Sequence, residues 1–534
     1  MAPLWDLGEN PLFMKHVRSR LRGQYVLPAV IVVGFLCICA VWFEWMIAAN
    51  APAGRSAPIA FYFIAFLQGI LLTLTGTSQV ASAIADARDR GILDFHRVSP
   101  VSAPVLTLGF LLGAPIREYL LYALTLPFAL VSALLCDFGV LNVLKVITVQ
   151  LTSALFFHSL GLVVGLLSKK GGKAGGSATG LVVLLNIMAN VTTLWGVGGP
   201  ALLTVVPVYQ EAQAEFNQRW GLGAGMGGPA AGGGPGMPGP WRTPRFYGVA
   251  VPVFAQSLLF QSSLFLFLFI AASRKMRSDK MHPYSKPQAV AFLAVLLALG
   301  LGTLWDLPAD AVLLGTCYFG FAVAVLLIAA VTPSFGEYGA GLRRARKNNQ
   351  GRSLPWEDAA SNLGVTAVMA SLVCVAAILA YLAPVRAAGI GLGGAAGLLR
   401  PESGIAVAVA AVALFGFARQ YFELRFRRRG TAYFTLFLFL AWVAPLVMGS
   451  VLAAGGLMES AYMFAFSPLA GITLASLAAN PGGPDPMFLA LIAVGPTAAL
   501  ALLFLVAAFM EQRKAETSAG QEVREKVLEA VLVE

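Results

Sequence analysis

The sequence predicts an all-α polytopic membrane protein of about twelve transmembrane helices, arranged as a 6+6 pseudo-repeat with N- and C-termini cytoplasmic. Composition is the first reason. Of 534 residues, 58% are hydrophobic and 12% charged, where soluble domains hold about 45–50% and 25%. Too few charged side chains remain to cover a water-soluble fold of this length, which excludes a soluble enzyme. The second reason is the recurrence of apolar stretches of about 20 residues, each long enough to cross a hydrocarbon core of about 30 Å. These runs are continuous, whereas a transmembrane barrel alternates in segments of about ten residues.

The spans are expected at about 25–48, 58–84, 102–135, 141–168, 177–206, 246–273, 288–306, 309–333, 361–384, 404–424, 431–454 and 486–510. Charge gives the third reason, because it was not used to place them. With a cytoplasmic N-terminus, 29 of the 37 Lys and Arg residues fall in inner segments and 6 in outer ones. That alternation is the positive-inside bias, and it accounts for the net charge of +11 without nucleic acid as a partner. Cys37, Cys39, Cys136, Cys317 and Cys374 lie in or beside apolar runs and read as small buried hydrophobes. The N-terminus has no cleavable-signal pattern, so the first span is expected to be retained.

Four segments follow. Residues 1–24 form a cytoplasmic entry segment, in which Leu12, Phe13, Val17 and Leu21 share one helical face with Lys15, Arg18, Arg20 and Arg22 mostly on others. This is the pattern of an interfacial amphipathic helix. Residues 25–285 hold the first six-span unit, with a Gly/Pro/Met-rich outer loop at 207–245 expected to be a flexible tether between Gly221 and Pro240. Residues 286–510 hold the second unit, and 511–534 a cytoplasmic tail with a short amphipathic helix.

The loop after the second span, residues 82–104, is dense in both signs of charge. Asp86, Arg88, Asp89, Arg90, Asp94 and Arg97 surround Gly91, and Pro100 precedes the third span. A short charged helix here would stand at the cytoplasmic surface, placed to bind a soluble partner. Within the spans, Arg117 and Glu118 are expected about 15 residues into the third, where an unpaired charge costs about 2.5–3.5 kcal/mol. Lys145 and Glu44 are expected to snorkel. His158, Gln68, Asn186 and Asn190, with Gln150, Gln256 and Gln261, are neutral candidates for a translocation path. No cluster has the spacing of a metal site or a nucleophile–base pair.

The letters ADARDRGILDFHRVSPVS resemble the cytoplasmic signature of type-2 ABC exporter permeases. Asn10-Pro11-Leu12 and the basic run after it resemble that family's entry helix. Phe466-Ser467-Pro468-Leu469 and Met510-Glu511-Gln512-Arg513-Lys514 are similar to the segment before its last span and to its basic stop. The likeness covers residues 10–135 best and the remainder by topology. It implies a permease that provides the path for export, carries no catalytic or cofactor site, and is driven by ATP and magnesium on a separate P-loop ATPase dimer in a bacterial inner membrane. The implied docking residues are Asp86 to Pro100 as named above, with Glu337, Arg343 and Arg344 in the second unit. Additional membrane or periplasmic subunits are compatible with it. The chain departs from the family in joining twelve spans, and Thr332–Asn362 lacks the Leu-Asp and Pro-x-Ser pattern.

No Gly-x-x-x-x-Gly-Lys-[Ser/Thr] is present. The nearest text, SKKGGKAGGSATG at 168–180, reads as a basic flexible inner loop. Two other readings stand beside the exporter. A secondary transporter of six-plus-six topology finds a partial echo of the major-facilitator loop motif in Asp86–Gly91, without its leading Gly or trailing basic pair. A non-transporting anchor or assembly subunit would also carry long, mostly apolar spans.

Overall fold

The computed structural model describes residues 10–50, 58–98, 101–168, 171–194, 199–219, 245–279, 281–305, 307, 309–348, 350, 354–387, 400–455, 460–476 and 485–533. They are almost entirely helical, and the chain divides into two compact units, Met1–Pro283 and Tyr284–Glu534. Among the described residues, eleven helices are long and apolar enough to cross a membrane. The protein is an all-α, multi-pass integral membrane protein.

The first unit contains α1 (Pro11–Arg20), α2 (Gly23–Asn50), α3 (Ile59–Asp89), α4 (Ile92–Val98), α5 (Ala103–Gly113), α6 (Ile116–Leu135), α7 (Val140–Leu167), α8 (Gly171–Leu194), α9 (Val206–Arg219) and α10 (Val253–Arg277). A two-residue hairpin, β1 (Arg245–Phe246) and β2 (Val249–Ala250), precedes α10.

α1 is amphipathic as expected, and its buried face docks on protein. Asn10 caps it, accepting from the N–H groups of Leu12 (3.1 Å) and Phe13 (3.2 Å), while its amide donates to the Val105 carbonyl at 2.7 Å. Pro11 fits the first helical position, where its missing N–H costs nothing. Leu12 and His16 are buried against α5. Gly109 and Gly113 permit the approach: a Cβ on Gly109 would lie 2.7 Å from Asn10 Oδ1, and one on Gly113 3.1 Å from Phe13 Cα.

The expected third span, 102–135, is two helices. α5 ends at Gly113, Pro115 sits in the break, and α6 starts at Ile116. Proline has no N–H for the helical ladder and crowds the preceding turn. Only the 20-residue α6 has the length of a span, whereas α5, at 11 residues, rises only about 16 Å. Arg117 and Glu118 therefore occupy the first turn of a span, not the middle of one.

α8 corrects a second expectation. The expected fifth span, 177–206, is met by a helix, Gly171–Leu194, that begins earlier and takes in GGKAGGSATG, read from sequence as a loop. Its first turns hold five glycines and a lysine. Glycine in a helix costs roughly 1 kcal/mol relative to alanine, but it lets backbones touch. A Cβ on Gly175 would lie 2.9 Å from Ser78 Oγ, and Ala174 and Ala178 pack on Ala81 and Ala85 of α3. α7 meets the same helix through Gly161 and Gly165, whose added Cβ atoms would stand 2.8 Å from Thr77 O and 2.6 Å from Ala81 O. α3 thus lies between α7 and α8 at near-backbone contact.

The second unit contains α11 (Lys286–Leu304), α12 (Ala309–Val331), α13 (Phe335–Lys347), α14 (Leu363–Ala387), α15 (Pro401–Phe426), α16 (Gly430–Ala454), α17 (Ser460–Phe466), α18 (Pro468–Ser476) and α19 (Pro486–Val533). α15 is central, packing on α12, α14, α18 and α19, with Val407, Ala408, Ala411, Val412 and Ala418 fully buried. Lys286 is buried at the start of α11, where its ammonium donates to the carbonyls of Ala360 (2.6 Å) and Ser361 (3.1 Å). Ser467 forms the turn between α17 and α18 and donates to the Trp442 carbonyl at 2.6 Å. Met510–Lys514 does not end α19, which continues through the expected tail to Val533.

Two outcomes follow from this packing. Gly165→Ala overpacks the α3–α7 contact and should lower stability in detergent by about 1–3 kcal/mol. Gly176→Ala, whose Cβ meets nothing within 4 Å, should be neutral or stabilising, and thermal unfolding of both variants checks the pair. Burial, with the charges of Arg20 and Lys15, holds His16 down to about 4 from 6.5. The unfolded chain then binds the proton first, so stability is full above pH 6.5 and falls as pH drops towards 4. His16→Phe should flatten that part of the pH–stability curve.

Candidate functional site

Two regions of the first unit gather the chemistry that the sequence singled out. The first is its basic end, around α4. α3 ends at Asp89, and Gly91 turns the chain at φ +70°, a left-handed conformation that glycine adopts without strain. Leu93 then inserts among Ile84, Leu106, Phe110 and Met276.

Two arginines fasten this turn. Arg88 Nη1 donates to the carbonyls of Gly165 (3.3 Å) and Leu166 (3.1 Å) at the C-terminus of α7, an end where a cation is favoured. Arg97 Nε donates to Met276 O at 3.1 Å and Nη2 to Lys275 O at 3.2 Å, both on α10. Its Nη1 donates to Asp94 (2.6 Å) and to Asp279 Oδ2 (3.1 Å), and Nη2 also meets Asp279 Oδ1. Hydrogen bonding to Arg97 holds the Asp279 carboxyl below its ordinary 3.8.

The predicted docking residues therefore separate. Arg88 and Arg97 are partly buried struts, and Gly91 is an exposed turn residue. Asp86, Asp89, Arg90 and Asp94 are exposed, with Arg90 3.7 Å from Asp86. Phe95 and Val98, which sequence reasoning did not name, are 69% and 84% exposed on α4. Pro100 lies outside the described residues. In the second unit, Glu337 is a helix cap: its carboxylate accepts from the Ser334 N–H and hydroxyl, both at 2.8 Å. Arg343 and Arg344 are exposed on α13, while Arg346 donates to the Glu516 carbonyl of α19.

The second region is a chain of neutral polar groups across the unit. Gln68 donates to Thr125 Oγ1 at 2.8 Å. The Tyr122 hydroxyl donates to Gln150 Oε1 at 3.1 Å, and Gln150 Nε2 reaches Tyr209 (2.7 Å) and Ala65 O (3.1 Å). His158 lies 2.8 Å through Nε2 from Leu72 O and 3.0 Å through Nδ1 from the Tyr119 hydroxyl. A carbonyl only accepts, so Nε2 carries the proton and Nδ1 accepts from Tyr119. Leu72 belongs to a π-wound stretch of α3, Ile70–Gly76, and a Cβ on Gly76 would collide with the His158 ring. Gln261 meets Thr152 and donates to Leu202 O at 3.0 Å.

Beside this network lies a cavity of about 670 Å3, walled by parts of α3, α7, α8 and α9. Gln68 and Asn186 line it. His158 stands behind it, and the side chain of Asn190 lies outside the described residues. Arg117 and Glu118 are elsewhere, paired with each other at 3.2 and 2.8 Å, with Glu118 fully buried. Nor do the two outlying charges snorkel: Lys145 pairs with Glu215 of α9 at 3.0 Å, and buried Glu44 accepts from Ala60 N at 3.2 Å. Part of the outer loop expected at 207–245 is thus the ordered helix α9, and Gly221–Pro240 lies outside the described residues. Among the described residues no His, Cys, Asp and Glu cluster has metal-site geometry.

No known family, curated protein or solved structure matches this chain.

Arg97→Ala should loosen α4 while leaving the spans folded. The expected readout is faster amide hydrogen exchange at residues 92–98, with little change in the core of α7. Equal exchange in variant and parent would show that the Arg97 bonds do not hold α4.

Proposed function

We propose that the chain is the membrane-spanning permease of an ATP-driven ABC-type exporter, docked through its cytoplasmic face to a separate P-loop ATPase dimer that carries ATP and magnesium, in a bacterial inner membrane. One observation carries this reading: α4 is a short helix that exposes Phe95, Val98, Asp94 and Arg90 while its base is bonded to two other spans. Leu93 and the turn at Gly91 tie it to α3, Arg88 ties that turn to α7, and Arg97 ties it to α10. A soluble partner gripping α4 would move three spans at once. The apolar pair rimmed by charge has the composition of a docking hot spot. The sequence resemblance in residues 82–104 and at Asn10-Pro11-Leu12 supports the same assignment, and Asn10 has a physical role there as the cap that seats α1 on α5.

Replacing Phe95 and Val98 together by Asp should reduce ATPase recovered with the purified native complex roughly tenfold or more, without lowering the thermal midpoint of the permease. Undiminished recovery would exclude α4 as the docking element. Transport that continues after ATP depletion and stops with a protonophore would overturn the exporter reading.

A second reading, ion-coupled transport, is favoured by Glu118 alone. Its Oε2 is buried and has no hydrogen-bond partner among the described residues, while Arg117 holds the other oxygen. Glu118→Gln should abolish solute movement under that reading and leave ATP-driven movement intact under the first.

A further inference from the structure

We infer that the cavity in the first unit binds an uncharged amphiphile, a small hydrogen-bonding head on an apolar body. The inference names a substrate class for the proposed permease. It rests on that reading for transport only, because binding requires neither ATP nor a partner.

The cavity has the volume of a small-molecule site. None of its described lining residues is charged. An ionised ligand would leave bulk water for a wall without a counter-charge, a transfer that costs far more than a neutral polar group does. The wall is not uniformly apolar either. Gln68 is only 2% exposed and lines the cavity, yet its one side-chain hydrogen bond is the donation to Thr125. Its carbonyl oxygen accepts from no described residue. Tyr62, also lining, keeps a buried hydroxyl without a partner. By contrast, the neighbouring Gln150 is fully engaged with Tyr122, Tyr209 and Ala65. Open hydrogen-bonding capacity is therefore concentrated at Gln68 and Tyr62, six residues apart on α3. There a hydroxyl, amide or ester head would find partners.

Other lining residues fit the body of such a molecule. Phe66, Val183 and Ile187 line the cavity and are 67%, 41% and 54% exposed. Apolar surface of α3 and α8 thus borders the cavity. Backbone geometry keeps the space open. The cavity follows α3 into its π-wound turn, and a Cβ placed on Gly69 meets nothing within 4 Å. A larger side chain at Gly69, which lines the cavity, would thus begin in open space. It would also replace a helical glycine, which favours the folded state.

The test uses the full-length chain purified into phosphatidylcholine nanodiscs, without ATPase. Two neutral diazirine probes are applied. A diacylglycerol is built into the bilayer, and a short-chain alkyl glucoside is added to the aqueous phase. A diazirine fatty acid, ionised at pH 8, serves as the charged control. Cross-linking to peptides containing residues 62–74 or 183–187 is expected from at least one neutral probe, and should fall roughly tenfold in Gly69→Leu. That variant should unfold at the same temperature as the parent or higher, which separates blocked binding from misfolding. Labelling by the diacylglycerol alone assigns a membrane lipid as the source, and labelling by the glucoside assigns a solute. Labelling of neither, equal labelling in Gly69→Leu, or equal labelling by the fatty acid overturns the inference. Because none of these readings involves hydrolysis, the site survives failure of the exporter assignment, and failure of the site leaves the α4 docking test untouched.

Discussion

The approach of α7 and α8 to α3 at near-backbone distance organises the first unit. In lipid, apolar side chains gain little from leaving one hydrocarbon for another, so helices associate through shape and through polar contacts at short range. Gly161, Gly165 and Gly175 supply the shape, and Thr77, Ser78 and Ala81 receive it. Because α7 lies so near, the Arg88 guanidinium reaches the final carbonyls of that helix and the His158 ring reaches the Leu72 carbonyl. The π-wound turn of α3 begins where the glycine contacts give way, and the cavity lies alongside it. Small residues at one end and an open space towards the other belong to the same helix triplet.

α4 has a comparable dependence on its surroundings. Seven residues form barely two turns, too few to be stable alone. The helix exists because Leu93 is buried and Arg97 is bonded to two carboxylates and two carbonyls. Its exposed side chains are thereby held in a fixed position, with little entropy left to lose on binding. In the second unit, α13 is built differently. It is a longer amphipathic helix with its own capping box, and Tyr338, Leu342 and Ala345 are buried beneath exposed Arg343 and Arg344.

The helical, membrane-spanning character of the chain was legible because hydropathy depends on composition alone, and the observed spans fall on the expected ones at most positions. Two failures have the same origin. Pro115 lies within an unbroken apolar run, so hydropathy passed over the break that relocates Arg117 and Glu118. The glycines of α8 looked like loop residues because their reason for being there is a partner helix about a hundred residues away in sequence. Charge did not reveal role. Arg88 and Arg97 carry the same sequence signal as Arg90 and Asp94, and only burial distinguishes strut from surface. Gln68 and Asn186 were recognisable as polar groups in apolar runs, whereas Tyr62 and Tyr209 passed as ordinary aromatics. Phe95 and Val98 were hidden by the charges around them, although apolar residues exposed among charges are the more informative feature of such a helix.

The last helix has a mechanical corollary. From Pro486 to Val533 it runs 48 residues, with Pro496 inside it, a length of about 72 Å at the standard rise. More than half of that length exceeds what a bilayer core can hold. A stiff rod pivoting within a membrane converts a small sideways push on its far end into a tilt of the embedded part. The bond between Arg346 and the Glu516 carbonyl ties α13 to the later part of this helix.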